Sequence, residues 1–236
     1  MDATPLLCEL HAHTTWSDGA LTLTELVDVY GRHGFDVLCV TDHVLPAGAP
    51  YVTEAQHERY VTAIDREARR AREQYDLLLV PGLELTFHDG DPEVAGHALA
   101  IGARSWVPLD RGLEEAMVAA RARGAAIVAA HPHSRHTDPA PLRTTRWFWN
   151  NRDSAVALVD RWELINRGQT FGWIAEWGLP AIASGDFHRL EHLETWKTLL
   201  PCAKTEAAVV SYLRSNSVAY VVPWHLREAA QRRLAA

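Results

Sequence analysis

The sequence predicts an α/β fold built on a mostly parallel sheet. Short apolar runs bounded by turn residues recur along the chain, segments of helical spacing separate them, and size and composition suit one globular domain. The 236 residues are 47% hydrophobic and 22% charged, which excludes disorder, collagen-like repeats or coiled coil as the main character. A chain this long buries roughly 70–75% of the surface it would expose unfolded, so residues 1–236 read as a single domain that needs no disulfide to supply a core.

Strands are expected over residues 6–13, 36–43, 77–85, 97–101, 125–131, 161–165 and 181–186, with an eighth near 220–222. Between the first two, Leu23, Leu26, Val27 and Tyr30 recur at helical spacing, Thr22 and Glu25 form a capping-box pattern, and Gly34 stands just past the end. A short amphipathic helix over 22–33 follows. Segments 54–75, 113–123, 170–177 and 206–214 read as helices too, the first the most polar. The least regular stretch is 134–153, with Pro139, Pro141 and the aromatic run Trp147, Phe148 and Trp149. It reads as a long loop whose aromatics are packing residues or, alternatively, line a pocket for an apolar or planar leaving group.

Lys plus Arg total 23 against 30 Asp plus Glu, a formal charge of −7 without long runs of like charge, which argues against long nucleic acid as a partner. Cys8, Cys39 and Cys202 are too scattered for a disulfide framework or a thiolate zinc site, and they read as small buried residues of a reducing, cytoplasmic compartment. No basic leader followed by an apolar stretch and no run of eighteen apolar residues is present, so no membrane association is expected.

Thirteen histidines are the one anomaly of composition. His11 and His13 end the first strand, where a period of two puts both imidazoles on one face. The same chemistry is expected at the C-terminal end of nearly every later strand: Asp42 and His43, Glu84, His97, His131, Glu163, then Asp186 and His188. Loops after parallel strands converge on one end of a barrel, where sites sit. Imidazoles and carboxylates gathered there, with no cysteine, suit Zn²⁺, Mn²⁺ or Fe, and several ions rather than one.

Taken in order, His11-Ala12-His13-Thr14-Thr15-Trp16-Ser17-Asp18-Gly19, Thr41-Asp42-His43, Pro81-Gly82-Leu83-Glu84, Gly96-His97, His131-Pro132, Glu163 with Asn166, and Gly185-Asp186-Phe187-His188 resemble the motifs of the PHP (polymerase and histidinol phosphatase) family, from residue 6 to about 225. The resemblance implies a distorted (β/α)7 barrel with a metal site at the C-terminal ends of its strands, three divalent ions and a phosphoesterase activity. Carried over by position, it implies that His11, His13, Glu84 and Asp186 hold one ion, Asp18, His43 and His188 a second, and Glu84, His97 and His131 a third. Three dications, less the charges of Glu84, Asp18, Asp186 and a bridging hydroxide, leave a surplus that a phosphomonoester dianion neutralises. Hydroxide bridging two of the ions is then the expected nucleophile.

Other residues have secondary expectations. Asp186 and His188 are assigned to the chemistry as well as to metal, His188 as an alternative proton donor to the leaving oxygen. Arg135, His133 and Arg167 are candidate phosphate-binding residues, guanidinium being suited to bidentate contact; His136 lies beside them. Asp42 and Glu163 are expected to orient ligands rather than bind metal. His33, His57, His88, His192 and His225 fall outside the strand ends and receive no role. The expected substrate is a small-molecule phosphate ester or nucleotide. An exonuclease or phosphodiesterase acting on short oligonucleotides is the enzymatic alternative, and a non-catalytic metal-binding partner domain the alternative of another class. Amidohydrolases also begin with H-x-H, but typically add a strand-end lysine, which is absent here.

Overall fold

The computed structural model describes residues 4–45, 51–88, 91, 93–134 and 145–234. Their strands are β1 (Leu6–Glu9), β2 (Val37–Val40), β3 (His43–Val44), β4 (Leu78–Phe87), β5 (Gly96–Ile101), β6 (Ala126–Ala130), β7 (Arg161–Asn166), β8 (Gln169–Thr170), β9 (Ala181–Ser184), β10 (Lys197–Leu200) and β11 (Tyr220–Val222). The helices are α1 (Leu23–Arg32), α2 (Glu54–Tyr75), α3 (Leu113–Ala122), α4 (Trp147–Asn150), α5 (Arg152–Leu158), α6 (Gly172–Glu176), α7 (Glu206–Leu213) and α8 (Arg227–Leu234).

The strands form one sheet in the order β11-β10-β1-β2-β4-β5-β6-β7-β8, with β3 on β4 and β9 on β7. The sheet curls back on itself. Beyond the strand ends Ala12 and Phe187 form a parallel bridge, sealed by His13 N to Phe187 O at 2.9 Å and Phe187 N to His11 O at 3.0 Å. The Thr198 hydroxyl of β10 also reaches the carbonyl and amide of Ala183 on β9, at 2.7 and 2.9 Å. Strands β2, β6 and most of β9 are buried on both faces, as covered parallel strands are.

The mostly parallel expectation needs correction at three strands, the two-residue β8 running antiparallel to β7. β5 pairs antiparallel with both β4 and β6, and β10, absent from the sequence reading, pairs antiparallel with β1. The direction of β5 has a direct consequence for the site: His97 is the second residue of its strand, at the N-terminal end, and only the reversal carries it to the end where the others sit. The first expected strand is shorter than residues 6–13, and the second divides into β2 and β3.

α1 has the expected capping box. Gly31 is required where α1 crosses α2, since a Cβ there would lie 2.3 Å from the Tyr75 ring. α2 buries only His57, Tyr60, Ile64 and Ala71. Its anchor is polar: the Tyr60 hydroxyl lies 3.1 Å from the Val40 carbonyl and 3.2 Å from that of Gly82, and accepts from the Asp42 amide at 3.3 Å. Trp147 and Phe148, expected in a loop, are instead buried in α4, where Gly96 leaves room for the Trp147 ring. Residues 170–177 also divide, Thr170 ending β8 before α6 begins at Gly172. Among the described residues no helix is long and apolar enough to cross a membrane.

Candidate metal centre

Six chain segments deliver their chemistry to one end of the curled sheet. His11 and His13 leave β1 in the extended bridge, so alternation turns both rings to one side, centroids 5.0 Å apart. His43 begins β3, directly opposite Glu84 in the parallel register. His97 enters from reversed β5, His131 follows β6, and Asp186 and His188 follow β9. Four non-glycine residues among those described have positive φ, and three are here: His131 (30°), Arg167 (53°) and Asp186 (43°). Left-handed backbone costs such residues energy, and that strain gathers at functional sites.

Glu84 is the hub. Its Oε1 lies 2.8 Å from His97 Nδ1 and 3.2 Å from His131 Nε2. Its Oε2 lies 3.1 Å from His11 Nε2, 3.2 Å from His13 Nε2 and 3.0 Å from His43 Nδ1. Asp186 Oδ1 stands 3.4 Å from both His11 Nε2 and His13 Nε2. Asp18 Oδ1 is 3.2 Å from His188 Nε2 and 3.5 Å from His43 Nε2. Around a dication bound at about 2.1 Å, neighbouring donors sit roughly 3.0–3.4 Å apart, and all of these separations but the 2.8 Å of Glu84 to His97 and the 3.5 Å of Asp18 to His43 fall in that range. Four sets of donor atoms lie within 4.8 Å of one another: His13, Asp18, His43 and His188; His11, Glu84 and His131; His11, His13 and Asp186; and His43, Glu84 and His97. Three details differ from the expected grouping, since His131 falls with His11 and Glu84, His43 also falls with Glu84 and His97, and His13 also faces the Asp18 set.

Electrostatics demand positive charge here. Burial would lower the His11 and His13 imidazoles, but Asp186 and Glu84, joined at His11 by Glu163, outweigh it and raise His11 well above its usual range and His13 to about 9. Burial would raise the Glu84 carboxyl, yet His43, His11 and His97 hold it well below the carboxylate range. Burial dominates at His43 and pushes it down to about 3. Asp18, despite partial burial, drops to about 2 beside His188 and His43. Among the described residues no group meets hydrogen-bond geometry with buried His13 Nε2, although oxygens of Glu84 and Asp186 stand 3.2 and 3.4 Å away. An orphaned ring nitrogen between two carboxylate oxygens fits a metal ligand, and dications would supply the charge that protons supply otherwise.

A second ring of residues fixes the first. Glu163 uses both oxygens on neighbours: Oε1 meets His11 Nδ1 at 2.9 Å and the Ser184 hydroxyl at 2.5 Å, and Oε2 accepts from the His131 amide at 2.6 Å and Asn166 Nδ2 at 2.7 Å. With His11 Nδ1 engaged as donor, its Nε2 lone pair faces the cluster. Asp42 supports the turn rather than His43, accepting from Thr14 N at 2.8 Å, Thr14 Oγ1 at 2.8 Å and Ser17 Oγ at 2.6 Å. His43 Nδ1 meets Thr86 Oγ1 at 2.6 Å and His131 Nδ1 meets Thr145 Oγ1 at 3.3 Å. Sequence reading missed Thr86, although its place two residues after Glu84 puts it on the same face of β4.

Arg167 donates through Nε to the Asp186 carbonyl at 3.1 Å and pairs through Nη2 with Asp186 Oδ2 at 3.1 Å. His133 borders the site, its Nδ1 3.4 Å from Gln169 Nε2 and its ring edge-on to Phe171. Burial and the charge of His131 lower it to about 4. Arg135 and His136 lie outside the described residues.

No family model matches the sequence, and no curated protein matches it. Solved structures do match. A two-domain protein from Bacteroides vulgatus, described as containing a predicted PHP-like metal-dependent phosphoesterase, aligns with TM-score 0.69 at 23% identity, over 93% of this chain and 65% of that one. The chain thus spans just under two thirds of that protein. A Bifidobacterium adolescentis protein described as a candidate metal-dependent phosphoesterase aligns with TM-score 0.52 at 16% identity, covering 77% of this chain and 87% of that one. An amidohydrolase from Chromobacterium violaceum, solved with sulfate and without metal, gives TM-score 0.52 at 17% identity with the same coverages. The shared property is the fold, a mixed α/β architecture with a curled sheet.

Proposed function

We propose that this chain is a PHP-type phosphoesterase that uses divalent metal to hydrolyse a phosphate ester of a small metabolite or nucleotide. One observation carries the reading: five imidazoles face the two oxygens of buried Glu84 within 3.2 Å, while Asp186 and Asp18 close the set. The ligands would be His11, His13, Asp18, His43, Glu84, His97, His131, Asp186 and His188, enough for three ions. The metal-dependent phosphoesterase descriptions of two fold neighbours, one of them PHP-like, support the same reading, as does a curled sheet that suits a distorted (β/α)7 barrel. Divalent ions bound there supply Lewis-acid charge to the phosphoryl oxygens and acidify the attacking water.

The chain's own residues orient and position. Glu163 holds the His11 ring, Thr86 the His43 ring, and Asp42 the turn that carries His13 and Asp18. Arg167 locks Asp186, and its side chain, 38% exposed, leaves N–H donors for a phosphate oxygen. His133 and Arg135 are further candidates for that grip. His188 has an alternative role as proton donor to the leaving oxygen, which would take it out of the ligand set.

Hydrolysis at carbon is the second reading, because one fold neighbour is an amidohydrolase. Lysine chemistry does not support it: Lys197 is buried against Glu9 and Lys204 pairs with Asp36 and Asp76, so neither reaches the cluster. The test is phosphate release from a panel of phosphomonoesters, bisphosphorylated nucleotides and phosphodiesters, with amide and lactone substrates alongside, using protein stripped of metal and reloaded with Mn²⁺, Zn²⁺ or Fe²⁺. Metal-dependent phosphate release supports the proposal, and turnover of the carbon substrates alone overturns it.

A further inference from the structure

α2 has an outer stripe that the fold does not use. Arg59, Arg66 and Arg69 stand at i, i+7 and i+10 with Thr62 between them, all exposed on one side of the helix. Ten residues of helix rise spread them over about 15 Å. None of the three makes an ion pair or side-chain hydrogen bond among the described residues, whereas Arg70 and Arg72 of the same helix are paired with Asp28, Glu67 and Asp76.

Together with Trp16, these arginines line a groove of about 540 Å³. Two carboxylates also border it. Asp65 shares Arg104 with Glu206, at 3.0 and 2.6 Å, so Glu58 and a partly compensated Asp65 oppose three guanidinium groups. In a chain of net charge −7, such an unmatched cationic run has an anionic ligand as its natural complement.

The groove and the candidate metal centre share one loop, which carries Trp16 to the groove and Asp18 to the ligand set. Trp16 is two residues before Asp18; its amide bonds Thr14 Oγ1 at 3.1 Å and its ring meets Tyr60 edge-on at 5.6 Å. The segment leading into α2 passes beside His43, whose carbonyl accepts from the Val52 amide at 3.1 Å. From that end of α2 the arginine stripe follows the exposed side of the helix.

We propose that this groove binds the further phosphates of a substrate carrying more than one, held by Arg59, Arg66 and Arg69 while the metal centre takes the phosphate to be cleaved. Guanidinium forks contact phosphate oxygens in pairs, and the Thr62 hydroxyl adds a donor. This rests on the phosphoesterase reading and narrows its substrate to a polyphosphorylated ester.

The test titrates metal-loaded protein with inorganic tripolyphosphate and with inorganic phosphate by calorimetry at low salt, metal content being measured before and after. Wild type is compared with the triple variant Arg59→Gln, Arg66→Gln, Arg69→Gln, whose far-UV circular dichroism confirms the fold. Tripolyphosphate should bind the variant at least tenfold more weakly and with a shallower salt dependence, while phosphate affinity and turnover of p-nitrophenyl phosphate stay unchanged. Equal tripolyphosphate affinity in the two proteins, or no binding to wild type, overturns the groove. Arginine-dependent binding in a protein that releases phosphate from no ester leaves the groove standing and removes the phosphoesterase reading instead.

Discussion

Behind the metal centre, Lys197 and Glu9 form a fully buried ion pair, Nζ to Oε2 at 2.8 Å. Glu9 also accepts from the Gly185 amide at 2.8 Å, the Tyr30 hydroxyl at 3.1 Å and the His11 amide at 3.3 Å. Replacing Lys197 with Met keeps the length and removes the charge. At 2.8 Å the Coulomb attraction is about 6 kcal/mol for an effective dielectric of about 20. Breaking one side of such a pair strands the other charge, and the expected loss is about 3–5 kcal/mol. For a chain of this size that lowers the melting temperature by roughly 6–20 °C. The double variant Glu9→Gln, Lys197→Met removes both charges and should recover most of the loss. Urea unfolding reads this directly, as a lower midpoint with an unchanged slope for the single variant. A single-variant loss below about 1 kcal/mol, or a double variant no better than the single, would refute the reasoning that desolvated charge governs this node.

Three further predictions concern the site. His43→Asn should leave far-UV circular dichroism intact while lowering metal content and cutting turnover by about 100-fold or more; full metal content in that variant counts against His43 as a ligand. Arg167→Met should weaken metal binding by roughly 10–100-fold through the freed Asp186, and Arg167→Lys should not restore it because lysine lacks the fork; unchanged metal affinity in both would remove its positioning role. His13, raised to about 9 from an unfolded value near 6.5, stabilises the metal-free fold fully below about pH 6.5 and loses that contribution as pH rises through about 9. Metal needs the neutral ring, so its affinity should rise over the same window. Melting curves with and without chelator between pH 6.5 and 9 should therefore diverge, and parallel curves would contradict the linkage.

Much of the site was legible because its donors sit in short ordered motifs next to apolar runs. His11, His43, Glu84, His131 and Asp186 needed only strand periodicity and a common barrel end. The direction of β5 was not legible, since a six-residue apolar run reads the same either way, and His97 at its start was the one cue. β10 was hidden by Lys197 and Thr198, polar residues in a buried strand whose partners, Glu9 and Ala183, lie far away in sequence. The α4 aromatics read as loop because prolines and polar residues surround them, while the Gly96 cavity that receives Trp147 is a tertiary feature. Helper contacts such as Thr86 to His43 were within reach of the same periodicity.

The measurement that tests the metal centre most directly is metal content per chain by elemental analysis, after stripping and reloading with Mn²⁺, Zn²⁺ or Fe²⁺, for wild type and for Glu84→Gln. Three ions per wild-type chain are expected with one of these metals, with a loss of at least one when Glu84 becomes neutral. Fewer than two ions on wild type under every loading, or the same content in Glu84→Gln, would contradict that expectation.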